Sequence, residues 1–357
     1  MLKIYALIGF CQIKQHKILF NVSYHTIFEQ KEVIVSLQSI INTGKIPVLL
    51  APMAGITDLP FRNVVSKFSV DMVFSEMIAD RDLLAKNVKI QKIELGSNFL
   101  NTAVQLAGCE PKAMGEAAKL VSDLGAKAID INMGCPAKKV VGGYSGSALM
   151  RDLKKAALII ESVISAVDIP VSLKARLGWD DISINAKELG VIAETCGVHS
   201  LTIHGRTRNQ FYKGQADWRA ILEVKRAVKI PVITNGDIVD INSASKALDV
   251  SGSDGLMVGR RIIGKPWLIS QISAHLNNET QPSVPKGLRL IEVIATHYDE
   301  MLSFYGVTLG VRVARKHLKR YLEIFSLPKN LSDEFLRQDC PKKVIRKLFE
   351  LPDRVKP

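Results

Sequence analysis

From Pro47 onward the chain repeats one pattern. A short unbroken apolar run, rich in Val, Ile and Leu, ends in polar or glycine residues. A stretch with apolar residues on one helical face follows, then a glycine, then the next run. The runs cover residues 47–51, 72–76, 102–106, 128–132, 171–175, 200–204, 232–235 and 255–258. Runs apolar on both faces predict parallel strands covered on both sides. Asp152 is a candidate N-cap for a helix whose Ala156, Ile160, Val163, Ile164 and Val167 share one face. Gly125, Gly197 and Gly252 stand where a helix-to-strand turn needs a left-handed residue. Eight such units over about 210 residues predict the α/β class and a (β/α)8 TIM barrel. A doubly wound open sheet is the alternative, but it would more usually have five to seven strands and a G-x-G-x-x-G near its start, which is absent here.

In such a barrel the chemistry belongs at the carboxyl ends of the strands. There the sequence offers Pro52, Met53, Ala54 and Gly55 after the first strand, and Ser75 and Glu76 after the second. The third strand carries Gln105, and the fourth runs into Asn132 and a loop holding Cys135. The fifth carries Lys174 and Arg176, and the sixth ends in His204, Gly205 and Arg206. The seventh ends in Asn235, Gly236 and Asp237, and the eighth in Gly259, Arg260 and Arg261. Polar and cationic groups thus gather at one rim.

The fourth loop is the most informative. Cys135 lies between Gly134 and Pro136, with Lys138 and Lys139 close behind and Gly142, Gly143 and Gly146 after them. A long glycine-rich loop at the end of an apolar strand is more often a working site than a connector. The thiol, with an ordinary pKa near about 8.5, is its proton donor of intermediate strength. A free cysteine is elsewhere most often a small core hydrophobe, but the Gly-Cys-Pro setting argues against burial here. A glycine turn with a guanidinium at Gly259 and Arg260 suits a phosphate, as loops seven and eight commonly do in this fold. Lys174 can neutralise an electron-rich ring and Gln105 can bond a ring edge, while the Pro52–Gly55 turn offers a flat apolar surface. A flat ring bearing a phosphate points to flavin mononucleotide (FMN), with Cys135 as general acid beside it.

Charge adds a partner. The chain carries 48 Lys and Arg against 35 Asp and Glu, a net charge of +13. That excess points to a polyanion, nucleic acid before a membrane surface. Beyond Asn277 the composition changes, with Pro282 and Pro285 marking a linker. Residues 286–325 read as two helices with a shorter basic stretch after them. Arg312, Arg315, Lys316, Lys319 and Arg320 recur at helical spacing and predict one basic face. The expected domains are an N-terminal extension of no assigned role (1–46), the barrel (47–280) and a C-terminal all-helical domain (286–357). The five cysteines, at 11, 109, 135, 196 and 340, form no C-x-x-C pair and fit reduced thiols in the cytoplasm. No apolar run approaches the roughly 18–20 residues of a membrane span, and no histidine grouping calls for a metal.

Five stretches then carry a resemblance: LLAPMAGITDLPFR (49–62), DINMGCPAKKV (130–140), LTIHGRTRNQFYKGQADW (201–218), PVITNGDI (231–238) and MVGRRIIGKPW (257–267). They closely resemble the bacterial tRNA-dihydrouridine synthase family, nearest its B-type branch. The resemblance implies reduction of the C5–C6 double bond of specific tRNA uridines by an FMN-bearing barrel, with NADPH (or NADH) as reductant and a helical domain that helps hold tRNA. It implies flavin contacts at Pro52, Met53, Ala54, Gln105, Lys174, His204, Asn235, Gly236, Asp237, Gly259 and Arg260, and a catalytic proton donor at Cys135. It also implies tRNA contacts at Lys138, Lys139, Arg176, Arg206, Arg312, Arg315, Lys316 and Lys319. The expected enzyme is a cytoplasmic monomer without metal. One departure stands out: 141–145, where the family usually keeps a basic residue, reads Val-Gly-Gly-Tyr-Ser. Two rivals are an FMN barrel acting on a free pyrimidine, which leaves the basic tail unexplained, and a non-enzymatic RNA-binding protein.

Overall fold

The computed structural model describes residues 37–85 and 102–351. Most of the expected N-terminal extension lies outside the described residues. Eight parallel strands close on themselves: β1 (Val48–Leu50), β2 (Met72–Phe74), β3 (Thr102–Ala107), β4 (Ala128–Met133), β5 (Val171–Arg176), β6 (Ser200–His204), β7 (Val232–Asn235) and β8 (Gly255–Val258). Closure comes from β8 pairing with β1, in register Val48↔Leu256 to Leu50↔Val258. A two-residue strand, Ile78–Ala79, extends the path of β2 along β3. The result is the expected (β/α)8 TIM barrel and excludes the open sheet, which would leave two edges. The strands are buried on both faces, which is why they read as continuous apolar runs.

Local signals set the helices around it. Asp58 caps α1 (Leu59–Ser66), its carboxylate accepting from the Phe61 N–H, with Pro60 in the first turn. The outer ring continues with α2 (Pro111–Asp123), α3 (Leu153–Ala166), α4 (Ala186–Thr195), α5 (Trp218–Ala227), α6 (Ile241–Ser251) and α7 (Leu268–Leu276). Asp152 caps α3 as expected, accepting from the Lys155 N–H, and Ala156, Ile160 and Val163 are buried. Val167 is already extended, one residue past the helix. Gly125, Gly197 and Gly252 all take positive φ.

After the barrel come α8 (Gly287–Tyr305), α9 (Val307–Leu322), α10 (Lys329–Arg337) and α11 (Pro341–Phe349). The two expected helices are there, and the basic stretch beyond them folds into two more. These helices share an apolar core of their own around Ile291, Ile294, Met301, Leu318, Leu322, Phe335 and Leu348. Phe61 of α1 meets the rings of His297 and His317, and the Tyr305 hydroxyl donates to Asp58 at 2.8 Å. The helices therefore brace the loop that follows β1. Among the described residues no helix is long and apolar enough to cross a membrane.

Candidate active site

The carboxyl ends of the strands present one continuous polar surface, and strand register decides who meets whom. Gln105 lies opposite Asp130, Asp130 opposite Ser172, and Asn132 opposite Lys174. Gln105 Nε2 donates to Asp130 at 2.6 Å, and Asn132 Nδ2 donates to Gln105 Oε1 at 2.8 Å. Asn132 Oδ1 accepts from the backbone N–H of Gly134 (3.2 Å) and of Cys135 (3.0 Å). Lys174 Nζ donates to Asn235 Oδ1 at 3.0 Å, and Asn235 Nδ2 to the Met257 carbonyl at 2.7 Å. Burial, with Arg176 nearby, lowers the Lys174 ammonium to about 8, and burial raises Asp130 to about 6.

Cys135 is half-buried at the start of its loop. The loop doubles back so that Ser147 donates both its N–H (3.1 Å) and its hydroxyl (2.8 Å) to the Cys135 carbonyl. That return passes through Gly146 at φ +61°, where a Cβ would lie 2.9 Å from the Cys135 carbonyl oxygen. Only glycine takes that turn without strain. Lys138 and Lys139 sit on an exposed helical turn, Lys138–Gly142, just past the cysteine. Tyr144 in the same loop is largely exposed.

Across the mouth, His204, Gly236, Asp237, Gly259 and Arg260 come together. Burial pushes the His204 imidazole well below its ordinary value, helped by Lys174, Arg176, Arg206 and Arg260. The ring is thus neutral, and its Nε2, 3.3 Å from Arg206 Nη1, must be the acceptor. Gly236 at φ +114° avoids His204, since a Cβ there would lie 2.9 Å from the ring. A Cβ on Gly259 would meet nothing nearer than Ala51 Cβ (3.7 Å) and Met53 Sδ (3.8 Å). Here glycine keeps space open over the β1 turn rather than relieving a clash. That turn is fixed by Thr57, whose hydroxyl accepts from the Met53 N–H at 2.9 Å, and by Glu76, whose carboxylate accepts from the Gly55 N–H. A flat group bearing a phosphate fits this donor set, with Gln105, Lys174 and Asn235 at one end and Gly236, Gly259 and Arg260 at the other.

Two residues expected to contact tRNA are buried in the protein. Arg176 and Arg206 are each only 2% exposed. Arg176 donates to the carbonyls of Gly134, Thr207 and Phe211 at 2.8–2.9 Å, tying the β4 loop to the β6 loop. Arg206 donates to Lys213 and Gly214 and pairs with Asp237 at 2.6 Å. Buried guanidiniums that bond through Nε and Nη1 (Arg176) or through all three nitrogens (Arg206) to groups within the protein shape the mouth. Asp237 is likewise held side-on, accepting from Arg206 and from the Ala216 N–H.

The basic face of α9 is also divided. Arg312 and Lys319 are exposed, while Arg315 pairs with Asp339 at 2.6 Å and Arg320 with Glu323. Lys316 turns to the barrel, its ammonium 3.6 Å from where a Gly55 Cβ would stand. Its charge acts on both Asp58 and Glu76. Arg312, Lys316 and Lys319 share a face, so that face borders the mouth.

Sequence reasoning passed over Tyr212. Its ring is about half exposed, with Arg260 4.6 Å and Arg176 5.6 Å from the centroid and His204 6.5 Å away. No periodicity marks it, because the loop between β6 and α5 is irregular. Asp130 and Ser147 were also passed over. For Asp130 the signal was present, since it stands two residues before Asn132 on the same strand face.

Comparison with known proteins agrees with this geometry. A family model described as Dihydrouridine synthase (Dus) matches residues 49–348. A protein of Rhodobacter capsulatus named "Probable tRNA-dihydrouridine synthase" is 52% identical over 298 residues, 83% of this chain and 91% of its own. A protein of the same name from Rickettsia conorii is 50% identical over 276 residues, 77% of this chain and 83% of its own. The "tRNA-dihydrouridine synthase B" of Proteus vulgaris is 42% identical over 278 residues, 77% of this chain and 86% of its own. A barrel closed in this register, a cysteine at the end of β4 and a family match across both the barrel and the helices lead to one conclusion: the chain belongs to the dihydrouridine synthase family, oxidoreductases that act on a CH–CH bond.

Proposed function

We propose that this chain reduces the C5–C6 double bond of specific uridines in tRNA to 5,6-dihydrouridine, with FMN as cofactor and NADPH, or NADH, as reductant. The observation that supports this most is the seat of Cys135. The residue is half-buried and pinned through its N–H and carbonyl, with Lys174 and Arg176 as charged neighbours. When bound, FMN would carry the electron pair from the nicotinamide to C6 of the uracil. Pro52, Met53 and Ala54 would face its ring, Gln105, Lys174 and Asn235 its ring edge, and His204, Gly236, Asp237, Gly259 and Arg260 its phosphate end.

Cys135 then delivers the proton to C5, so the base gains two electrons and two hydrogens in all. Charge builds on the uracil carbonyls as the proton is awaited, and fixed cations beside the mouth stabilise it. A uridine must leave the tRNA stack to reach this site, at a cost of a few kcal/mol. Phosphate contacts from Lys138, Lys139, Arg312, Lys316 and Lys319 offset that cost, which makes binding steeply dependent on salt. In this reading 47–280 is the catalytic barrel and 286–357 the tRNA-binding helical domain. The test is dihydrouridine mapping in tRNA from a deletion strain and its complemented control. Loss of one or more dihydrouridines that the gene restores is expected. An unchanged map, or turnover of free uracil or orotate by the purified protein, would overturn the tRNA reading.

A further inference from the structure

Asp130 is buried beneath the mouth with 0% exposure, and it reaches the cysteine loop only through other side chains. Its two oxygens accept from Ser172 Oγ and Gln105 Nε2, both at 2.6 Å. From there the bonds run in one direction. Gln105 turns Oε1 to Asn132 Nδ2, and Asn132 turns Oδ1 to the N–H groups of Gly134 and Cys135. The two ends of this chain admit no ambiguity. A carboxylate only accepts and a backbone N–H only donates, so both amides between them can point one way only. With either amide reversed, two donors or two acceptors would face each other in a buried site, which is costly.

We propose that Asp130 is a positioning residue for the reduction, orienting Gln105 and Asn132 and, through Asn132, holding the Cys135 loop in place. The proposal rests on the reading of Cys135 as proton donor. Its test does not, because it uses neither cofactor nor turnover. The strand register makes the relay possible. Gln105 and Asp130 are direct neighbours across β3 and β4, and Asn132 stands one pleat further on the same face. Asp130 also sets a negative charge beneath the Lys174 ammonium, which stands opposite Asn132.

The test exchanges the polarity of the chain. In Asn132→Asp the Gln105 amide lies between two carboxylates and can donate to only one. In the swap Asp130→Asn with Asn132→Asp, Gln105 reverses and its two bonds are restored in the opposite sense, while the Gly134 and Cys135 N–H groups still donate to residue 132. Thermal midpoints of the flavin-free protein are expected to fall by about 5 °C in Asn132→Asp and to recover to within about 2 °C of the parent in the swap. Failure of Asn132→Asp to fold while the swap folds supports the proposal equally. Equal penalties for Asn132→Asp with and without Asp130→Asn would overturn it, as would a swap that does not fold.

Two controls separate the relay from other causes. Like-charge repulsion alone would couple positions 130 and 132 even in a Gln105→Leu background. The proposal expects the coupling to shrink there to that repulsion alone, and a coupling as large without Gln105 as with it would overturn the relay. Alkylation of Cys135 by iodoacetamide, followed by mass spectrometry, reads the loop itself. Asn132→Asp and the swap carry the same carboxylate beside the thiol, and the second carboxylate that Asn132→Asp keeps at 130 disfavours the thiolate, so a faster reaction in Asn132→Asp cannot come from charge. Cys135 is expected to react about tenfold faster in Asn132→Asp, the equivalent of one frayed hydrogen bond. Equal rates would show that the order of the chain does not reach the cysteine and would overturn the positioning role.

Discussion

Beneath the barrel mouth, Asp130, Gln105, Asn132, Lys174 and Asn235 are buried and bond to one another and to the backbone. Between α1 and the helices α8 and α9, His297 and His317 are buried as deeply, but three of their four ring nitrogens have no partner among the described residues. The difference follows from how sheets and helices meet. Strand register sets donors opposite acceptors at fixed spacing. Helix packing sets faces together, and here it brings the two imidazoles within 4.8 Å of each other and against Phe61. The histidines pack as neutral aromatic discs. Burial drives His297 down to about 3 and pushes His317 well below its ordinary value, with His297 and Lys316 adding to the effect. Polar groups under the mouth are organised for chemistry, and the two imidazoles under the helices are held uncharged.

The largest expected effect tests the first cluster. Cys135→Ala should keep the melting temperature and flavin absorbance of the parent but lose about 10²–10⁴-fold in dihydrouridine formed per tRNA, the usual worth of a general acid. Near-normal turnover at neutral pH would remove the thiol from the mechanism. Acid probes the second cluster. Folded, both histidines resist protonation. Unfolded, they take up protons below about 6.5, so their contribution is complete above that pH and is lost as pH falls toward 3. The slope is at most about 1.4 kcal/mol per histidine per pH unit. Thermal melts between pH 7.5 and 4.5 should show it, and His317→Phe should flatten it. A variant as acid-sensitive as the parent would break the comparison.

Smaller effects sharpen it. Reversing Arg312 and Lys319 to Glu should raise the KM for tRNA by about three- to tenfold and reduce the salt slope, with NADPH oxidation unaltered. Reversing Arg315, already paired with Asp339, should do less. An equal response from all three would show that pairing within the protein does not matter there. Asp152→Ala should cost about 1 kcal/mol of stability through the lost cap and leave the KM for tRNA unchanged. A kinetic effect from it would mean that α3 communicates with the mouth.

Much of the scaffold could be read from the chain alone. The eight strands, the Asp152 cap and the left-handed Gly125, Gly197 and Gly252 all follow from side-chain periodicity, backbone sterics and caps that act within a few residues. The strand ends that meet at the mouth were legible for the same reason, because a closed parallel barrel brings them to one face. What each side chain does there was decided only by closure. Arg176 reaches a carbonyl 42 residues away, and Tyr305 reaches Asp58 across 247 residues. No local pattern separates a buried guanidinium such as Arg206 from an exposed one such as Arg312, because both are rim cations in the sequence. The direction of a long side chain depends on which acceptors the fold carries to it, and that is settled by register and packing between segments far apart in the chain.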